Sequence, residues 1–257
     1  MSAAGRFAGV AREDGRAALV TVVRSSGGPA VGAKLLVTAD GAREGSLGDA
    51  GLDDRAAASA EELMWAERSE LREVGAVSLF VDVTAPAPRL VVFGAVDYAA
   101  ALSRLARAAG WRPFVCDPRS QFATRERFPE AEDVIAAWPE EAFARIGSID
   151  RATYIAVLTH DPKLDDAALG LALRSDAAYV GAMGSRRAQA QRRERLLAAG
   201  LDEELIDRVA APIGLDLGAL TPEETALSIM AEVVAVRHGR DGGRLSKAGG
   251  RIHEVGA

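Results

Sequence analysis

Tyr179-Val180-Gly181-Ala182-Met183-Gly184-Ser185-Arg186-Arg187 passes from an apolar strand through a glycine turn into a helix. The strand is expected over residues 176–180 and the helix from about Ser185 to Gly200. Gly181 and Gly184 let the backbone bend tightly and lie close to a ligand, since no Cβ stands in the way. Ser185 is placed to cap the helix, whose first N–H groups and positive dipole end attract an anion. Arg186 and Arg187 add two permanent charges with the fork geometry that suits phosphate. An ordinary strand-to-helix connection with exposed arginines reads the same way, so the surrounding chain has to decide.

Around this stretch the chain alternates strand and helix. Strands are expected over residues 90–93, 113–116, 132–136 and 153–158, with helices over 98–109, 140–146 and 165–174. In the first helix Leu102, Leu105, Ala106 and Ala109 follow the spacing of a buried face, and Gly110 is placed to stop it. A helical segment at 201–209 and a glycine-rich loop at 212–218 follow. Thr221-Pro222-Glu223-Glu224 then opens a last helix, with Ala226, Ile229, Met230 and Val233 as its buried stripe. Such alternation implies a doubly wound, mostly parallel, Rossmann-like α/β sheet, which binds ligands beyond the carboxyl ends of its strands.

The residues before it read differently. Short β-branched runs at 19–24, 33–38 and 77–83, with a strand or loop at 44–47, flank a helix expected over 53–73. This is a smaller α+β domain, placed at 1–84. Thr84-Ala85-Pro86-Ala87-Pro88 is a stiff connector to the Rossmann-like domain at 89–238. The glycine-rich, basic tail at 239–257 is expected to be flexible.

Composition narrows the classes. A net charge of −6 over 257 residues argues against a nucleic-acid surface. The single cysteine, Cys116, excludes an internal disulfide framework and a multi-cysteine metal site, and no metal site is expected. There is no apolar run of the roughly 18 to 20 residues that a membrane helix needs. The first residues lack the apolar core of a signal peptide, so a soluble cytoplasmic protein without membrane contact is expected.

Chemistry concentrates at the predicted strand ends: Gly94 and Ala95, Asp117 and Arg119, Thr159, His160 and Asp161, and the opening turn. The Gly-x-Gly-x-x-Gly turn of a dinucleotide site would fall on Gly94, Val96 and Ala99, with Asp117 as the ribose acid. Val96 obstructs the close approach of a pyrophosphate there, which weakens a nicotinamide site. His160 would be the proton donor if the chain were an NAD(P)-dependent oxidoreductase; otherwise no catalytic residue is assigned. Asp165 and Asp166 suit the first turn of their helix, and Arg192, Arg193 and Arg195 read as a solvated face.

Together these pieces resemble the XdhC/CoxI family, accessory proteins of molybdenum hydroxylases such as xanthine dehydrogenase. The matching segments are Asp117-Pro118-Arg119, Phe122-Ala123-Thr124, Arg127-Phe128-Pro129 and the run from Leu158 to Asp165. The opening stretch, residues 211–218, Thr221-Pro222-Glu223-Glu224 and Ser228-Ile229-Met230-Ala231-Glu232 continue it in the family's order. The family's first domain commonly carries a cysteine after a Gly-Ser pair, whereas this chain reads Gly45-Ser46-Leu47-Gly48-Asp49-Ala50-Gly51. No role for that thiol carries over.

The resemblance implies binding of the molybdenum cofactor (molybdopterin), its sulfuration, and its delivery to a molybdenum hydroxylase apoenzyme, with a cysteine desulfurase as a second partner and a homodimer as the family's state. A cofactor chaperone is preferred to a catalyst, because no nucleophile is identifiable. The expected cofactor-binding residues are Gly94, Ala95, Asp117, Arg119, Thr159, His160, Asp161, Gly181, Met183, Gly184, Ser185, Arg186, Arg187, Gly214 and Asp216. A nicotinamide dinucleotide and a ligand-free assembly factor are the competing readings.

Overall fold

The computed structural model describes residues 2–249 and divides into two compact units, Met1–Pro86 and Ala87–Ala257. In the first, α1 (Ala3–Arg12), β1 (Ala17–Ser25), β2 (Lys34–Thr38), β3 (Arg43–Ser46), α2 (Ala50–Trp65), β4 (Glu70–Val74) and β5 (Val77–Thr84) follow in order. The strands form an antiparallel sheet in the order β3-β2-β1-β5-β4. Successive side chains of a strand face opposite ways. Ala18, Val20 and Val22 of β1 therefore meet Leu52, Ala56, Ala60 and Leu63 of α2, while Ala17 and Leu19 meet Phe7 and Val10 of α1.

The helix expected over 53–73 ends at Trp65, and residues 70–74 at its expected end are a strand. Glu67 adopts a left-handed φ of 52°, and Arg68 N–H reaches back to the Leu63 carbonyl at 3.0 Å. That reverse bond closes the helix without the glycine that usually marks such an end. Residues 70–74 then pair with β5 through a two-residue turn at Gly75 and Ala76, where Gly75 has φ 63°. Their charged residues suit a sheet edge. Helix α1 went unpredicted.

The second unit contains β6 (Arg89–Phe93), α3 (Asp97–Ala108), β7 (Arg112–Cys116), β8 (Asp133–Ile135), α4 (Pro139–Ile146), β9 (Thr153–Val157) and α5 (Pro162–Leu173). It continues with β10 (Tyr179–Ala182), α6 (Arg186–Ala198), α7 (Glu203–Asp207), β11 (Val209–Ala210) and α8 (Pro222–Arg237). Every strand pair in its six-stranded sheet is parallel, in the order β11-β10-β9-β6-β7-β8. The chain starts in the middle, winds outward to β8, then crosses back to β9, so the order reverses between β6 and β9. This is the doubly wound α/β arrangement. Apolar residues cover both faces: α3 and α8 pack on one, α4, α5 and α6 on the other.

Three local differences matter. The end of the segment expected as helical at 201–209 is strand β11, which adds to β10 at the sheet edge. Gly181 lies within β10, paired with Ala156 and Ala210, not in the turn that follows. The expected flexible tail falls partly on residues 250–257, outside those described; Leu245–Lys247 within it is a short 3-10 turn.

Helix α8 begins with a complete capping box: Thr221 accepts the Glu224 N–H at 3.1 Å, and Glu224 accepts the Thr221 N–H at 3.1 Å. Ala226, Ile229, Met230 and Val233 are its buried stripe. Replacing the cap removes an acceptor that the helix end requires. Thr221→Ala is expected to cost about 1 kcal/mol in urea denaturation; an unchanged midpoint would show the box idle.

Candidate functional site

The sheet's carboxyl edge collects most of the predicted residues in two adjoining clusters. The first lies at the reversal point, where such sheets receive ligands. Gly94 follows β6 with φ 109°, and a Cβ there would stand 3.0 Å from the Thr159 amide nitrogen. Only glycine allows this approach. Asp117 is fully buried at the end of β7. Its Oδ2 accepts the Ala95 N–H at 2.8 Å and Arg119 Nη2 at 2.7 Å; its Oδ1 accepts the Arg119 N–H and Nε–H, each at 2.9 Å.

Burial works to raise the Asp117 carboxyl's pKa. The bonds from Arg119 and Ala95 outweigh it and hold the group below the usual carboxylate range. Arg127 closes the same turn from the segment between β7 and β8. It donates to the Ala95 carbonyl at 2.9 Å and pairs with Asp97 at 3.2 Å. The Arg119 and Arg127 guanidinium groups both stand over the Phe122 ring, 4.8 and 5.8 Å from its centre. The groups that a dinucleotide turn would offer to ribose and pyrophosphate thus bind each other.

The second cluster lies at the end of β10. Gly181 is buried there for packing: a Cβ would meet the Tyr179 hydroxyl at 2.5 Å and Ile213 at 2.6 Å. Met183, Gly184, Tyr98, Pro212, Ile213 and Thr225 line an open cleft of about 270 Å³. Gly184 has φ 136°, and Ser185 caps α6 by accepting the Ala188 N–H at 3.2 Å. Arg186 and Arg187 are exposed and form no ion pair with any described residue. The first turn of α6 holds no acid. Among described residues, the amides of Gly184, Ser185, Arg186 and Arg187 donate to nothing. Four free N–H groups at the start of a helix whose first two residues are unpaired arginines make an electropositive corner.

The remaining predicted residues divide. Thr159 is buried and its hydroxyl accepts the Asp161 N–H at 2.8 Å, while Asp161 caps α5 by accepting the Lys163 N–H at 2.9 Å. His160 is exposed at the same strand end. Gly214 packs on α8, with its N–H donated to Glu232 at 2.8 Å and a Cβ position 2.5 Å from the Ser228 hydroxyl. Asp216 is exposed in the same loop.

Sequence reasoning missed Arg127, Tyr98, Ile213 and Glu232, whose parts appear only once distant segments meet. It also placed Arg192 on a solvated face. Arg192 is buried, pairs with Asp165 at 2.8 Å, and donates to the Met183 carbonyl at 3.0 Å. Only Arg193 and Arg195 stand on the outer side, paired with Asp207 and Asp166. A cleft of about 250 Å³ between α6 and α7 lies beside the Arg193–Asp207 pair, whose charges already neutralise each other.

Fold and edge geometry define a Rossmann-type domain with an electropositive corner, joined in sequence to a small antiparallel α+β unit. The family described as the XdhC Rossmann domain matches residues 90–233, and the XdhC and CoxI family matches residues 10–75. The chain belongs to the XdhC/CoxI family.

A probable xanthine dehydrogenase subunit of Bacillus subtilis is 31% identical over 62% of this chain and 46% of its own length. The molybdenum cofactor insertion chaperone PaoD of Escherichia coli is 29% identical over 59% of this chain and 41% of its own. The chain thus spans less than half the length of these curated relatives. A solved structure of a xanthine dehydrogenase from Bacillus halodurans has the same fold, with a TM-score of 0.62 and 23% identity over 90% of this chain and 65% of that one.

Asp117→Ala would leave the buried Ala95 N–H without its acceptor, at a cost of about 1–3 kcal/mol. The folded carboxyl titrates below its ordinary value of 3.8, so its contribution is complete above that pH and is lost as pH falls through the folded value. Urea melts at stepped pH should therefore show the gap between wild type and Asp117→Asn narrowing only at the acid end.

Proposed function

We propose that this chain binds the molybdenum cofactor and supports its sulfuration and insertion into a molybdenum hydroxylase of the xanthine-dehydrogenase or carbon-monoxide-dehydrogenase type. The observation that carries the reading is the corner at the end of β10: free amides at 184–187, Arg186 and Arg187, and the cleft beside them. A phosphate fits the amides and guanidinium groups by charge and hydrogen bonding. A flat heteroaromatic ring fits walls made by Tyr98, Met183, Pro212 and Ile213. The donor set therefore suits a phosphorylated pterin.

In this reading Gly184, Ser185, Arg186 and Arg187 hold the phosphate, and Met183 and Ile213 hold the ring. When bound, the cofactor supplies the molybdenum centre that the client enzyme uses. The chain's own residues bind it, orient it and shield it from water until delivery. Membership of the XdhC/CoxI family and the likeness to a protein named as a molybdenum cofactor insertion chaperone support this role. A nicotinamide reading is disfavoured, because Asp117 and Arg127 already engage the turn after β6.

Protein purified without oxygen is expected to bind molybdopterin and to raise the activity of a molybdenum hydroxylase apoenzyme. Arg186→Ala with Arg187→Ala should weaken binding on the order of 10-fold or more, since charge-assisted bonds to phosphate are lost. Calorimetry with NAD(H) and NADP(H) should show no heat. Absence of molybdopterin binding by the wild-type chain would overturn the reading.

A further inference from the structure

Beneath the electropositive corner lies a buried polar assembly. Asp165, at the fourth position of α5, and Arg192, at the seventh of α6, form an ion pair whose side chains are 4% and 5% exposed. A helical side chain leans toward its own N-terminus, which carries the Arg192 guanidinium back under the turn that precedes α6. There it donates to the Met183 carbonyl at 3.0 Å and to the Gln189 side chain. Gln189 in turn donates toward the Ala182 and Gly184 carbonyls at 3.4 and 3.5 Å. The Met183 and Gly184 carbonyls thus face α6, while the Ala182 carbonyl is shared with the Ile213 N–H at 3.1 Å.

The peptide unit is planar and trans, so its C=O and the following N–H point in opposite directions. Drawing the Met183 and Gly184 carbonyls inward turns the N–H groups of Gly184 and Ser185 outward. A charge pair of this kind is a weak source of stability, because desolvation offsets most of the attraction. Burial raises the Asp165 carboxyl's pKa, offset only in part by the Arg192 and Thr159 side chains, and Arg192 Nε is buried without a hydrogen-bond partner. An arrangement so costly and so poor in net stabilisation is better explained by the geometry it imposes.

We propose that Asp165 and Arg192 are positioning residues: through Gln189 and the Met183 carbonyl they set the turn at 183–185 so that its amides face the ligand. The ligand half of this claim rests on the cofactor-binding reading above; the positioning half rests on the hydrogen bonds alone. The pair makes a specific distinction testable. An apolar replacement of similar volume, Asp165→Leu with Arg192→Met, satisfies packing and removes both buried charges, so a purely structural pair can be exchanged for it without loss. A positioning pair cannot.

The experiment uses the full chain and three readouts: thermal midpoint, amide hydrogen exchange, and affinity for molybdopterin. The double variant is expected to keep a midpoint near wild type. Exchange at Met183, Ala188 and Gln189, whose amides are protected by bonds to Val157, Ser185 Oγ and the Ser185 carbonyl, should rise ~10-fold, and affinity should fall ~10-fold. Arg192→Lys keeps the charge but not the fork, and should show the same two changes to a smaller extent even if the double variant fails to fold. Unchanged exchange at those three amides, in whichever variant folds, would overturn the proposal. If exchange rises as expected while wild type binds no molybdopterin, the positioning role stands and the cofactor reading falls.

Discussion

A fully buried carboxylate has to be surrounded by donors, because moving its charge out of water costs several kcal/mol otherwise. Asp117 meets that demand with Arg119 and the Ala95 N–H, and most of the carboxyl edge follows from it. The backbone after β6 is pulled to β7, Gly94 is pressed onto the Thr159 amide, and Arg127 takes the carbonyl left facing outward. In a dinucleotide-binding domain the corresponding acid stays free for a ribose. Here the same position joins the turn to its neighbour.

Closing that turn leaves the open space two strands further along, at the end of β10. The cleft sits where α3, β10 and the loop before α8 meet, and each wall is held by a separate device. Gly181 lets Ile213 and the Tyr179 hydroxyl lie against the strand. Glu232 gathers that hydroxyl and the Gly214 N–H, and Ser228 donates to the Leu215 carbonyl. The common geometry of a parallel sheet supplies the edge; these side chains decide which part of it stays open.

The sheet was legible because its strands are short apolar runs between helices with an obvious buried stripe, and glycine or proline marks nearly every boundary. Where the chain turns without those signals, reading fails. Helix α2 ends at Ala66 and Glu67 with no glycine, so residues 70–74 looked helical although they pair at a sheet edge. The candidate site was legible only as a set of strand ends, since topology alone brings Asp117, Thr159 and Gly184 to one side. It was not legible in detail. Whether an arginine is solvated or buried depends on what α5 brings to it, and Arg192 is indistinguishable from Arg193 until Asp165 lies 2.8 Å away. Asp117, likewise, reads as a ribose acid until Arg119 folds back onto it.

Helix α6 shows how charge placement points to a ligand. Acids stand in the first turn of α2, α3, α4, α5, α7 and α8, where they suit the positive end of the helix dipole. Helix α6 begins instead with Arg186 and Arg187, and each cation there opposes the dipole by about 0.3–1 kcal/mol. Nothing among the described residues offsets that cost. In the proposed function a bound anion would offset it, by facing the helix dipole and the free amides at 184–187. Departures of this kind from local consistency collect where a protein meets its ligand. The neutralised pairs of Arg193 and Arg195 a turn or two later mark where the rule resumes.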